Sequence, residues 1–165
     1  MAVSQRVESI AASMQAMDPD YADSYAENAA ASMDQLNALA EELQAENEAL
    51  RGKPVILMNE ALIYVAQDYG LTVAEWIDRE SGIAYYDDEL AKCLEKLKSS
   101  GAGVILIERQ APTGFVHALE DSGFIVARID ILSTHREDAG FDTYLRVQRE
   151  NAAAIRAAFQ REAER

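Results

Sequence analysis

Cysteine occurs once in these 165 residues, histidine twice and proline three times, and aromatic residues make up only 7% of the chain. A lone cysteine closes no intrachain disulfide, so the fold must rest on its apolar core. The two histidines, His117 and His135, stand too far apart to form a zinc-binding pair on one helix. Positive charge is scarce as well: 15 Lys and Arg face 29 Asp and Glu, a net charge of −14. That balance argues against a nucleic-acid binder, which needs clustered bases to neutralise phosphates, and against adsorption to anionic lipid. No apolar run approaches the roughly eighteen residues that would cross a bilayer, so no transmembrane segment is expected. Met1 to Met17 lacks the apolar core of a signal peptide. This suggests a cytosolic protein or a piece of a longer one. What the chain does have is 49% hydrophobic residues, enough for one ordinary α/β-sized core.

The charge is unevenly spread. Residues 1–51 hold ten acids against Arg6 and Arg51, a net of −8, while the remainder holds nineteen acids against thirteen bases. Val3, Val7, Ile10, Met14 and Met17 recur at helical spacing and mark a first helix. Asp18-Pro19 reads as an N-cap followed by proline at the first helical position. Tyr21, Tyr25, Ala29, Met33, Leu36, Leu39, Leu43 and Leu50 then mark a second stripe running to Arg51, where Gly52 and Pro54 end it. Such a helix would be roughly 50 Å long. The divisions expected are therefore 1–17, 18–52 and 53–165.

Beyond Pro54 the pattern alternates. Strands are predicted at Val55–Met58, Leu71–Ile77, Val104–Ile107 and Phe124–Ile129. Helices are predicted at Glu60–Tyr69, Asp87–Lys98 and Pro112–Asp121, with a polar loop at Asp78–Tyr85, and a loop from Asp130 to Gly140 leads into a final helix to about Phe159. Strands apolar on both faces and separated by helices predict an α/β fold, a parallel four-stranded sheet flanked by helices and preceded by the long helix. Ligands of such sheets bind beyond the C-terminal strand ends. There the chain places Asn59, Glu60, Glu108, Arg109, Asp130 and the loop to His135.

Most other chemistry is plain. Gly101-Ala102-Gly103 precedes a strand, whereas a dinucleotide loop follows one, and it reads as a helix stop. Cys93 between Leu90, Leu94 and Leu97 reads as an inert core thiol. His117 reads as a solvated helix residue and Trp76 as a packing residue. No nucleophile–base pair is apparent, so no enzyme is expected. The strand-end group is richer: the oxygens of Asn59, Glu60, Glu108 and Asp130 with the His135 imidazole suit Mn²⁺ or Zn²⁺. The same residues also suit duty as caps of neighbouring helices, Asn59 before Glu60 being an N-cap in its own right. Spacing alone favours that plainer role.

The order of these pieces resembles the extracytoplasmic substrate-binding proteins of zinc and manganese ABC transporters, the cluster holding ZnuA-like receptors and adhesin lipoproteins. Asp18-Pro19 and Tyr21–Arg51 resemble the start and body of that family's interlobe helix. Asn59-Glu60-Ala61-Leu62-Ile63-Tyr64-Val65 with Tyr69-Gly70-Leu71 is similar to its His/Glu-Asp-Ala-Phe-x-Tyr-Phe…Tyr-Gly-Leu segment. Val104–Glu108 resembles its strand ending in Glu, Asp130-Ile131-Leu132 its Asp-Pro-Leu, and Asp142-Thr143-Tyr144 with Asn151 its last helix.

The resemblance implies the C-terminal lobe of a receptor that holds Zn²⁺ or Mn²⁺ between two lobes and hands it to a membrane permease. It further implies an extracytoplasmic setting, in the periplasm or lipid-anchored at the cell surface. Two metal ligands map to this lobe, at Asp130 and at Asn59, where the family has His or Glu. Glu60 or His135 could substitute for the uncharged amide, or the ligand differs or binds weakly. The other two ligands, histidines of the first lobe, have no counterpart here, so metal held by this chain alone should be weak or absent. A rival reading is an interaction module without metal: Leu36, Leu43 and Leu50 stand at the sevenfold spacing of a coiled coil.

Overall fold

A computed structural model describes residues 2–77, 87–134, 137 and 139–165. The chain forms two compact units, Met1–Glu46 and Asn47–Arg165. The first contains α1 (Ala2–Met17), a 3₁₀ turn (Pro19–Tyr21) and nearly all of α2 (Ala22–Asn47). On α2, Ala29, Leu36 and Leu39 are buried, as the helical stripe requires. On α1 the stripe is not covered. Ile10, Met14 and Met17 are exposed, and Ala11 is the buried residue of that helix among those described.

Two local expectations are corrected here. Asp18 stands at the N-cap position with Pro19 after it, but its side chain accepts no capping N–H. Its Oδ2 instead accepts the Tyr25 hydroxyl at 3.1 Å, and the chain enters α2 through the 3₁₀ turn. The long helix also ends earlier than Arg51. It spans Ala22–Asn47, about 39 Å, and tightens into a second 3₁₀ turn at Glu48–Leu50. Asn47 is buried, and its Oδ1 accepts a hydrogen bond from Arg156 Nη1 at 3.1 Å. This polar anchor holds the end of the helix, and Gly52 at φ +77° then turns the chain into the sheet.

The second unit is the expected α/β body. Its elements are β1 (Pro54–Leu57), α3 (Leu62–Asp68), β2 (Thr72–Trp76), α4 (Asp87–Ser99), β3 (Val104–Glu108), α5 (Thr113–Asp121), β4 (Ile125–Ile129) and α6 (Phe141–Ala163). All pairings are parallel and the strand order is β2-β1-β3-β4. Every residue of β3 is buried, as are Val55, Ile56 and Leu57 of β1. Ile56, Ile105, Ile107 and Val126 pack with Leu97, Cys93, Val116 and Leu119 of α4 and α5. The opposite face, by the twofold alternation of strands, carries Val55, Leu57, Val104 and Leu106. Burying each such side chain stabilises the fold by about 1.5–3 kcal/mol before entropy is counted. Cys93 is thus a core thiol and His117 is exposed, as expected.

β2 departs from the expectation that every strand is apolar on both faces. It is an edge strand, with Val73 40% and Trp76 37% exposed, so Trp76 is not a buried packing residue. Its Glu75 pairs with Lys96 of α4 at 3.1 Å. A strand paired on one side only tolerates this polarity. The predicted loop at Asp78–Tyr85 lies outside the described residues. Gly101, at φ +76°, ends α4 as a helix stop. Gly103 donates its N–H to Glu162 Oε1 at 3.1 Å, and that carboxylate lies where a Cβ would stand.

Two outcomes follow from this core. Leu106→Ala should lower stability by about 2–5 kcal/mol, whereas Val73→Ala on the edge should cost under ~1 kcal/mol in chemical denaturation. Burial pushes the Tyr69 hydroxyl up to about 12, against a lowering by Arg156 and smaller increases from Asp68 and Tyr144. Tyr69 therefore stabilises the fold fully below its ordinary value of 10.0, and that contribution is lost as pH climbs through about 12. Denaturation measured across this window should show stability falling with pH, and Tyr69→Phe should flatten the fall.

Candidate metal centre

The strand order 2-1-3-4 makes β1 and β3 diverge in their connections: the chain leaves β1 to one side for β2 and later returns to its other side for β3. The crevice beyond their carboxyl ends is the switch point where such sheets place ligands. Asn59 follows β1, Glu108 closes β3 and Asp130 follows β4, so three oxygen-bearing side chains occupy one rim. This is the juxtaposition expected from the sequence.

Asn59 spans the switch point. Its Nδ2 donates to Glu108 Oε1 at 2.7 Å, and its Oδ1 accepts the Ala61 N–H at 2.7 Å. The second bond closes a turn just before α3, whose N-cap is Ala61 and carries no side-chain capping bond, so Asn59 is not the N-cap expected from the sequence. Glu108 is buried, and its other oxygen, Oε2, accepts from Gln110 Nε2 at 3.3 Å. Gln110 continues to Ser133 Oγ at 3.0 Å, which ties the ends of β3 and β4 together. Glu60 is exposed at the approach to α3, where its carbonyl accepts the Ile63 N–H.

Asp130 is held from below and from its own loop. Its N–H donates to Asn151 Oδ1 and its carbonyl accepts from Asn151 Nδ2, both at 2.9 Å. The amide of Asn151, on α6, thus extends the edge of β4 as a strand would. Asp130 Oδ1 accepts the Leu132 N–H at 2.9 Å, closing a turn in which Leu132 takes φ +56°. A left-handed leucine costs about 1–2 kcal/mol, offset by the bonds that close the turn. Asp130 Oδ2 faces Arg109 Nη1 at 3.5 Å. His135 lies outside the described residues.

Among the described residues, no group of three or more His, Cys, Asp or Glu stands close enough to hold a metal ion. The donors nonetheless have the right chemistry for a hard or borderline cation: two carboxylates and an amide at one rim. Three participants escaped the sequence reading as site residues: Gln110, Ser133 and Asn151. Only Asn151 left a visible trace, as a polar residue in the apolar stripe Val147, Asn151, Ile155 and Ala158.

The chain is thus an α/β unit with a polar rim at the switch point of its parallel sheet. Over residues 1–158 it matches the family described as ZnuA, zinc-uptake complex component A, periplasmic, and it belongs to that family. The high-affinity zinc uptake system protein ZnuA of Brucella abortus is 30% identical over 112 residues, covering 68% of this chain and 34% of that protein. The chain thus spans about a third of the curated relative it matches. Among solved structures, one titled as ZnuA superposes with TM-score 0.70 at 25% identity, covering 94% of this chain and 56% of that one. An FpvC mutant of Pseudomonas aeruginosa gives TM-score 0.78 at 23% identity over 92% of this chain and 56% of the other. The Zn(II)-bound ZnuA-like domain of Streptococcus pneumoniae AdcA gives 0.73 at 24%, covering 92% of this chain and 58% of that one. At those two identities the likeness establishes the fold.

Because Asn151 bonds both backbone groups of Asp130, Asn151→Ala should lower stability by about 1–3 kcal/mol. Gln110→Ala removes an exposed side chain whose bond to Glu108 Oε2 is 3.3 Å long and should cost less, under ~1 kcal/mol. Urea denaturation of the two variants checks the contrast.

Proposed function

We propose that this chain is the C-terminal lobe, with its interlobe helix, of an extracytoplasmic receptor that captures Zn²⁺ or Mn²⁺ as cargo for an ABC transporter. In this reading residues 1–17 form a helix from the lobe junction, 18–52 the interlobe segment built on α2, and 53–165 the lobe. The ion is held between this lobe and an N-terminal one, and the loaded receptor docks on a membrane permease. A setting in the periplasm or at a lipid-anchored cell surface goes with it. The work is ion capture and release; no bond of the substrate is made or broken.

One observation carries the proposal: Asn59, Glu108 and Asp130 converge at adjacent strand ends of a family member's sheet. Support also comes from structural neighbours, FpvC in complex with Mn²⁺ and Zn(II)-bound AdcA. Asp130 is the principal ligand in this reading, since its carboxylate is the anionic group at the position the family uses. Asn59 supplies a weaker neighbour. Its amide oxygen is neutral and already accepts the Ala61 N–H, and exposed Glu60 is the charged alternative beside it. A cation needs deprotonated donors in sufficient number, and one lobe offers only part of a coordination shell.

Calorimetric titration of the 165-residue chain with Zn²⁺ should therefore show weak one-to-one binding, micromolar or weaker, that Asp130→Ala abolishes. Sub-micromolar affinity would contradict a divided site.

A further inference from the structure

We propose that Arg109 is a resident counter-cation of the metal site: it sits on Asp130 when the site is empty and moves to Glu150 when a divalent cation arrives. The inference rests on the reading of Asp130 as a cargo ligand and adds a residue that sets the affinity of that site.

The geometry supplies both seats. Arg109 Nη1 lies 3.5 Å from Asp130 Oδ2 and 3.9 Å from Glu150 Oε2. One nitrogen thus stands between two carboxylates without a short bond to either. The Asp130 side chain is 12% exposed, whereas those of Arg109 and Glu150 are 58% and 46% exposed. The ligand is therefore the fixed partner and the guanidinium the mobile one.

Arg109's backbone is pinned. Its N–H donates to the Ile129 carbonyl at 2.8 Å, and its own carbonyl accepts from Arg128 Nη1 at 3.0 Å. Movement is thus confined to the side chain. Glu150 is held in place on α6 by Arg146, whose Nη1 contacts Glu150 Oε1 at 2.9 Å, leaving Oε2 toward Arg109.

A dication on Asp130 Oδ2 would meet the guanidinium at a few ångströms, and like charges at that range repel. Glu150 offers a retreat within the reach of the same side chain. A half-exposed ion pair of this geometry is weak. The arriving metal therefore displaces it, and its apparent affinity falls only by the fraction of sites Arg109 occupies. On release, the guanidinium returns and neutralises the vacated carboxylate. That exchange favours unloading over immediate recapture.

The test is a set of Zn²⁺ titrations of the full chain by calorimetry, with metal-free thermal melts to establish that each variant folds. Arg109→Gln should tighten binding about threefold to tenfold, and Arg109→Lys, which keeps the charge, should stay nearer the parent. Glu150→Gln should weaken binding in the parent but change it less than about twofold when combined with Arg109→Gln, because the retreat then has no occupant. A merely structural salt bridge would give no such dependence.

Binding abolished by Asp130→Asn but unchanged or weakened by Arg109→Gln would overturn the counter-cation role alone. So would additive effects of the Arg109 and Glu150 changes. Binding indifferent to Asp130→Asn, or absent from every variant, would overturn the assignment of Asp130 itself and this inference with it.

Discussion

Parallel pairing of β1, β3 and β4 requires strands that are apolar on both faces, because each face is covered by helices. This constraint shapes everything else in the Asn47–Arg165 unit. Val55–Leu57 and Val104–Ile107 leave no place for a polar side chain within the sheet, so polar groups are displaced to the strand ends. The rim is thus a by-product of the core. Parallel order also brings all the carboxyl ends to one side, and the 2-1-3-4 sequence of strands opens the crevice between β1 and β3.

The rim carries little unsatisfied polarity. Asn59 bridges to Glu108 and closes the turn before α3, Gln110 links Glu108 to Ser133, and Asn151 clamps Asp130 to the edge of the sheet. No buried side-chain nitrogen or oxygen among the described residues lacks a hydrogen-bond partner. Such a network holds these polar atoms in place without a bound ion. It also binds up lone pairs that a cation would use.

The edge strand and the first helix show where apolar pattern and burial part company. Thr72–Trp76 pairs only with β1, and its Val73 and Trp76 stay partly exposed. Ile10, Met14 and Met17 form a regular stripe on α1 and remain exposed as well. Helical spacing states which residues share a face. It does not state whether anything covers that face, and in both places the described residues do not.

Much of the fold was legible because its signals are local. Apolar runs of four or five residues, glycine stops and alternating helices identify each element of the sheet within a residue or two. The end of α2 was misplaced by a few residues because Asn47 is held by Arg156, more than a hundred positions away. The site was legible only in part, for the same reason. Asn59, Glu108 and Asp130 are visible as strand-end residues, and their shared rim follows from parallel topology. Their hydrogen-bond partners are set by packing between distant segments, which no local pattern encodes. By itself, then, the sequence determined the elements, their parallel arrangement and the end of the sheet at which polar groups collect. Tertiary structure alone decided that Asn59 turns to Glu108, that Asn151 supports Asp130 and that Arg109 lies between two carboxylates, because those choices depend on distances between strands and helices far apart in the chain.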